Sequence, residues 1–172
     1  MDDFWKGILW RQFGAAFDMF ENALRECSTE LWGRRMWVQY PEFSEFWYVA
    51  YHTLFWVDLY LGGSDKDFQP PPPFTTGELE AGMLPPRQYS KDELLAYLEH
   101  CRQKCRVTIE ALTDERARQV CKFAWGELCF AELQVDNLRH VQEHGAQLSL
   151  FLGQQQGSGA RWVAQTKGDR SN

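Results

Sequence analysis

Apolar residues recur at steps of three and four along most of the chain, which is the spacing of one face of an α-helix. Four stretches carry this pattern and predict four long helices. They run from Asp3 to about Cys27, from Phe46 to Leu61, from about 91 to 112, and from about 127 to 152. The second stretch is apolar on all sides, which predicts a central position in the fold.

Residues at the ends of these stretches agree with the helical pattern. Gly62 and Gly63 follow the second stretch and predict its end, because glycine readily adopts the conformation that closes a helix. Ser90 and Glu93 have the spacing of a capping box and predict the start of the third helix. Gly153 predicts the end of the fourth.

The connections between the helices differ in length. The link between the third and fourth helices is short and contains Asp114 and Phe123, whereas residues 62–89 separate the second helix from the third. This long segment contains Pro70 to Pro73 and Pro85-Pro86, a composition that disfavours a helix interior or a central strand. No strand pattern competes. We therefore predict an all-α fold, a four-helix bundle with a long crossover between helices 2 and 3.

Length and composition limit the domain organisation. A chain of 172 residues fits one domain with a single core, and we assign residues 1–153 to it. Residues 154–172 are rich in Gln, Gly and Ser and predict a flexible C-terminal tail.

Charge and cysteine usage narrow the class of partner and the compartment. The net charge of −6 argues against a nucleic-acid partner, which calls for a basic surface. Five cysteines, and a start at Asp2-Asp3 that is unlike a basic signal sequence, predict free thiols in the cytoplasm. The most apolar run, 46–61, contains His52 and Asp58 and is shorter than the roughly 20 residues of a membrane span, so no membrane partner is expected.

Three of the four histidines form a candidate metal site. His140 and His144 are four residues apart on the fourth predicted helix and therefore share one face. In a bundle with this crossover the second and fourth helices can lie side by side, and His52 can then meet the pair. Three neutral imidazoles suit a divalent ion such as zinc, nickel or iron and leave positions open for water or substrate. The alternative is a solvent-exposed histidine pair and a core His52 bonded to a backbone carbonyl.

Several polar and aromatic residues near these histidines are candidates for supporting roles. Asp136, one turn before His140, and Glu143, directly before His144, are candidate acid–base groups. The candidates for lining a pocket, orienting a ligand or binding a cofactor are Tyr48, Trp56, Asn137 and Gln147.

Two segments of the chain resemble one protein family. Residues 43–56, together with residues 137–144 and Gln147-Leu148, resemble the DinB-like superfamily of metal-dependent four-helix bundles, and the resemblance extends over about residues 4–153. In that family one histidine of the second helix and two from an HxxxH motif in the fourth bind a divalent metal. The resemblance implies that His52, His140 and His144 are the ligands. We expect zinc or nickel, with iron as a further candidate.

The resemblance also implies a function. Family members with assigned activities are thiol transferases and isomerases. They use a low-molecular-weight thiol, such as bacillithiol, mycothiol or glutathione, which the metal activates toward an electrophile. We therefore expect a metal-dependent thiol transferase, or a related metal-assisted enzyme such as a hydrolase, with a small-molecule substrate. Pairing as a homodimer is also implied. Similar sequences tend to carry an aromatic residue where this chain has Asp136, which argues against a special role for that carboxylate.

A non-enzymatic alternative is left open by the sequence. In it the protein is a binding or stress-response module whose histidine cluster is structural or vestigial. The crossover bears on this choice, because a loop of this length in a compact domain is often functional. We expect Pro70 to Pro73 and Phe74 to close over the mouth of a pocket.

Overall fold

The computed structural model describes residues 2–80, 82–159 and 161–166. Its helices are α1 (Asp3–Glu26), α2 (Thr29–Trp32), α3 (Phe46–Gly62), α4 (Lys91–Glu110), α5 (Asp114–Arg118) and α6 (Phe130–Gln156). Strands β1 (Val120–Phe123) and β2 (Gly126–Cys129) form a hairpin between α5 and α6, and single turns of 3-10 helix lie at Pro41–Phe43 and Thr76–Leu79. The four long helices are the four that the apolar pattern predicts.

These long helices form the predicted bundle. α3 contacts both α4 and α6, and α1 contacts the same two helices, so the four form a ring in the order α1, α4, α3, α6. The second and fourth long helices, α3 and α6, therefore lie side by side as predicted. The long crossover joins α3 to α4. The all-α prediction is confirmed, with one small hairpin as an addition.

The core lies along α3. Nearly every side chain of this helix is buried, which confirms its predicted central position. Aromatic rings from other helices belong to the same core, for example Phe17 and Phe20 of α1 and Phe130 of α6, each at most 1% exposed. Burying one such ring contributes roughly 1.5 to 3 kcal/mol. The bundle is thus held together mainly by apolar packing among its four long helices.

The predicted helix ends of α3 and α4 are close to the observed ones. Ser90 Oγ accepts a hydrogen bond from the Glu93 backbone N–H, and the Glu93 carboxylate accepts one from the Ser90 backbone N–H, which completes the capping box. α3 ends at Gly62, and Gly63 follows with φ of +80°, a left-handed conformation that side chains with a Cβ rarely adopt.

The hairpin corrects the predicted link before the fourth helix. β1 and β2 are antiparallel, with Val120 opposite Cys129 and Phe123 opposite Gly126. The predicted start of the fourth helix at about residue 127 is wrong, because residues 126–129 pair with β1 and α6 begins at Phe130. Four residues is the shortest run over which an alternating pattern can be read, and these two strands are held by pairing across the turn.

The last helix is longer than predicted. It continues through Gly153 and ends at Gln156, with Gly157 in the left-handed conformation at φ of +74°. The predicted end at Gly153 is therefore wrong. A glycine inside an exposed helical turn costs only about 1 kcal/mol relative to alanine, and the glutamines after it are good helix formers.

Part of the predicted tail contacts α1. Thr166 is 5% exposed, its backbone N–H donates to the Arg11 carbonyl at 3.3 Å, and Gln12 Nε2 donates to the Ala164 carbonyl at 3.3 Å. Residues 160 and 167–172 of the predicted tail lie outside the described residues. The division of the chain at residue 153 into a domain and a flexible tail stays a prediction.

Within residues 2–80, 82–159 and 161–166, no helix is both long enough and apolar enough to cross a membrane.

Candidate metal centre

Packing of α3 against α6 determines which side chains meet between them. Two amide side chains of α6 bond to the α3 backbone: Gln134 Nε2 donates to the Tyr60 carbonyl at 2.9 Å and Asn137 Nδ2 donates to the Val57 carbonyl at 3.3 Å. Both amides are buried. They hold the two helices in a register that places His140, one turn beyond Asn137, beside α3.

Three histidines converge at this contact. The ring centroid of His52 on α3 lies 5.5 Å from that of His140 and 5.3 Å from that of His144, and the two α6 rings are 4.6 Å apart. One nitrogen from each ring lies within 4.8 Å of the other two. The three side chains form a cluster that could hold one metal ion. The alternative of a solvent-exposed pair with an unrelated core histidine is not what the structure shows.

Burial keeps the two α6 histidines neutral. Burial first, and the nearby His144 and His52 rings after it, lower the pKa of His140 to about 3. Burial also lowers the pKa of His144. A neutral imidazole presents a nitrogen lone pair, which is the form that binds a metal. At neutral pH these two rings are therefore unprotonated, and each has a nitrogen lone pair that can bind a metal ion.

The nitrogen atoms of the cluster fit a divalent metal. His140 Nδ1 is buried and has no hydrogen-bond partner among the described residues, and such an atom is costly unless something satisfies the ring. His144 Nδ1 lies 2.8 Å from Gln147 Oε1, and His52 Nδ1 lies 2.5 Å from Glu78 Oε1. Since those oxygens accept, each Nδ1 donates, and Nε2 carries the lone pair whenever the ring is neutral. Three imidazoles of this kind suit zinc, nickel or ferrous iron.

A cavity of about 210 Å³ opens beside the cluster. Two of the histidines, three aromatic side chains, one carboxylate and one valine line it. These residues are Trp37, Phe43, Tyr48, Val49, His52, Glu78 and His144. A small molecule in this cavity would lie against His52 and His144.

A larger depression of about 460 Å³ lies beside Trp32 and the start of α4. Its basic side chains are already paired: Arg87 bonds to Glu93, and Lys91 Nζ donates to the Cys27 carbonyl. The cavity at the histidines is therefore the stronger candidate for chemistry, although it is smaller.

Glu78 is a charged site residue that sequence reasoning missed. It lies on the 3-10 turn Thr76–Leu79 of the crossover, and its side chain is only 5% exposed. Its carboxylate accepts hydrogen bonds from His52 Nδ1 and from the Tyr48 hydroxyl, the latter at 3.0 Å to Oε2. The only signal in the sequence is an acidic residue within a segment rich in proline and glycine, which is too weak to single it out.

The crossover thus reaches the site, but not through the predicted residues. Phe74 is 7% exposed and packs into the core, with its ring centroid 4.3 Å from Tyr97 and 4.7 Å from Tyr89. It lies outside the cavity lining, so the expectation that Phe74 closes the pocket is wrong.

The predicted pocket residues separate into two groups. Tyr48, Trp56 and Gln147 surround the cluster: the Tyr48 and Trp56 rings lie 6.2 and 6.3 Å from the His52 ring, and Gln147 bonds to His144. Asn137 bonds to the α3 backbone instead, and its Oδ1 is buried without a partner among the described residues.

The two predicted acid–base groups do not lie in the cavity lining. Asp136 forms an ion pair with Arg139 at 3.2 Å, and Glu143 is exposed on α6. Their catalytic roles stay predictions without support from these contacts.

The fold and the cluster together define a class: a four-helix bundle in which the second and fourth long helices bring three histidines to one candidate metal site. Comparison with protein families agrees. The model of the DinB superfamily matches residues 12–148, and the chain belongs to this superfamily. The family predicted from the two histidine segments is therefore confirmed. No curated protein and no solved structure matches the chain.

Proposed function

We propose that this protein binds a divalent metal ion through His52, His140 and His144 and uses it in thiol transfer, or a related metal-assisted reaction, on a small molecule. The observation that carries the proposal is the convergence of three imidazole nitrogens within 4.8 Å of one another beside a cavity. Zinc and nickel are the first metals to test, followed by iron. Membership of the DinB superfamily supports the metal assignment.

A divalent ion at this site would act as a Lewis acid and lower the pKa of a bound thiol or water, so that a nucleophile forms near neutral pH. The protein supplies the geometry. Gln147 orients the His144 ring, and the α3–α6 packing brings that ring to His52. Burial keeps the His140 and His144 rings neutral and so available as ligands.

The cavity lining points to the class of substrate. Trp37 and Phe43 line the same cavity as the histidines, and aromatic faces favour flat or apolar groups. A volume of about 210 Å³ is below the range of about 300 to 1,000 Å³ typical of sites for drug-sized ligands. The cavity would therefore hold a small apolar electrophile, or the reactive end of a larger one, with a thiol as co-substrate.

Elemental analysis tests the metal assignment directly. Protein purified without an affinity histidine tag should carry about one divalent ion per chain, and His52→Ala and the His140→Ala, His144→Ala double variant should both lose it. His100→Ala is the matched control, because His100 lies beside Asp58 and outside the cluster. A wild-type protein that holds no metal after reconstitution with zinc, nickel or iron would contradict the proposal.

Enzymatic turnover separates the proposal from the non-enzymatic alternative. The loaded protein should consume a low-molecular-weight thiol in the presence of an electrophile, and His140→Ala should abolish this consumption while circular dichroism shows that the helices remain. A His140→Ala chain that unfolds when it loses the metal would favour a structural ion instead. The homodimer and the cytoplasmic location stay predictions. The five free thiols support the second, and light scattering would test the first.

A further inference from the structure

Glu78 holds an unusual position for a charged side chain. It is on the crossover, outside the bundle helices, yet only 5% of its side chain is exposed. Burying a carboxylate is costly unless hydrogen bonds satisfy it. Two α3 side chains do so: His52 Nδ1 at 2.5 Å from Oε1, and the Tyr48 hydroxyl at 3.0 Å from Oε2.

These contacts fix the direction of each hydrogen bond. An ionised carboxylate only accepts, so His52 Nδ1 carries a proton and donates it to Glu78. The neutral ring then has its lone pair on Nε2. Without an acceptor at Nδ1, the neutral ring could carry its proton on either nitrogen. The Tyr48 hydroxyl lies near both carboxylate oxygens, at 3.0 and 3.2 Å, and so holds Glu78 in place.

We propose that Glu78 is a positioning residue: it selects the Nδ1–H form of His52 and orients the ring so that Nε2 is available to the histidine cluster. The expected effect on metal affinity rests on the proposed function, whereas the hydrogen bond between His52 and Glu78 forms without a metal. Glu78 is not proposed as a ligand. Among the described residues, the possible metal ligands that all lie within 4.8 Å of one another belong to the three histidines. Glu78 is not in this group.

The proposal gives the crossover a role in the site. Partners that hold the second nitrogen of a metal-binding histidine typically change metal affinity about 10- to 100-fold when they are removed. Here that partner comes from the loop between α3 and α4, whereas the histidine belongs to the core helix. Whatever displaces the crossover should therefore weaken the site without touching a ligand.

The first test uses the metal-free protein. In ¹⁵N-labelled chain, at a pH above the ordinary histidine pKa, nitrogen shifts distinguish the two neutral forms of each ring, and loss of one set of signals in His52→Gln assigns His52. We expect the Nδ1–H form in wild type and in Glu78→Gln, whose amide oxygen still accepts. Glu78→Ala should show a mixture or the Nε2–H form. The Nε2–H form in wild type would overturn the proposal.

The second test measures zinc affinity by competition with a chromophoric chelator. Glu78→Ala should bind zinc about 10- to 100-fold more weakly than wild type, and Glu78→Gln should lose less. Glu80→Gln is the matched control, because Glu80 is an exposed residue of the same crossover and should bind as wild type does. Equal affinity in wild type and a folded Glu78→Ala chain would overturn the inference.

Cobalt substitution distinguishes positioning from ligation. If Glu78 positions His52, the visible spectrum of the cobalt-loaded Glu78→Gln chain should keep the wild-type shape and only the affinity should fall. A change in coordination number would make Glu78 a ligand and refute the positioning role. If wild type binds neither zinc nor cobalt, the proposed function fails, and the nitrogen shifts of the metal-free protein still decide whether Glu78 sets the form of His52.

Discussion

Replacing His140 by glutamine should remove part of the pH dependence of folding stability in the metal-free protein. Burial lowers the pKa of His140 to about 3 from an ordinary value of 6.5. Between these values the unfolded chain takes up a proton at this residue and the folded chain does not. Acid therefore favours unfolding. This destabilising effect is absent well above pH 6.5 and grows progressively as the pH falls toward 3.

The size of the effect follows from the shift. Within the window, one proton taken up only by the unfolded chain changes the free energy of unfolding by about 1.4 kcal/mol per pH unit. Lowering the pH from well above 6.5 to about 5 should thus cost about 2 kcal/mol through His140 alone. This range lies above the ordinary pKa values of aspartate and glutamate, so few carboxylates contribute to it. His144, whose pKa burial also lowers, adds a slope of the same sign.

Urea unfolding at a series of pH values, with a chelator present, measures this slope. His140→Gln should be less steep than wild type by about 1.4 kcal/mol per pH unit, whatever its stability at pH 7. Arg139→Gln is the control, because it introduces the same side chain at the adjacent, exposed position and removes no group that titrates in this range. Equal slopes for wild type and His140→Gln would refute the reasoning that burial keeps this ring neutral.

Three further outcomes are expected. Asp58→Asn removes the carboxylate that lies 2.5 Å from Lys104 Nζ. Because Lys104 is 32% exposed, the loss of stability in urea unfolding should be about 2 to 3 kcal/mol, less than for a fully buried ion pair. An unchanged urea midpoint would contradict this. Phe74→Ala removes a ring packed in the core and should cost about 3 kcal/mol by the same assay, whereas a loss below about 1 kcal/mol would mean that the crossover is not held by this contact. Zinc at about 100 times its dissociation constant should stabilise wild type by about 2.7 kcal/mol, and His52→Ala not at all.

The helices were predictable because their signals are local. A helix shows its buried face as a spacing of three and four residues, and α1, α3, α4 and α6 are each long enough to repeat that spacing several times. The capping box at Ser90 and the glycine after α3 are equally local, and both were found from a few adjacent residues.

Three features that the sequence did not predict share one cause. The hairpin β1–β2 depends on pairing between two short strands, and its Trp125 indole donates to the Tyr60 hydroxyl, 65 residues away in the chain. The contact of Thr166 with α1 is likewise made by residues far apart in sequence. Neither feature produces a regular spacing of apolar residues in the sequence. Glu78 was missed for the same reason, since its partners His52 and Tyr48 lie on a helix that the crossover has to fold back to reach.

In the candidate metal site, too, local sequence predicted one part and long-range contacts determined the other. The spacing of His140 and His144 alone put two imidazoles on one helical face, because residues four apart are neighbours on any α-helix. The chain pattern also determined the four helices and the long crossover. The meeting of His52 with that pair, the buried amides that set α6 against α3, and the carboxylate behind His52 were decided by tertiary packing. These contacts join residues 26 or more positions apart, and no local preference of the backbone specifies them.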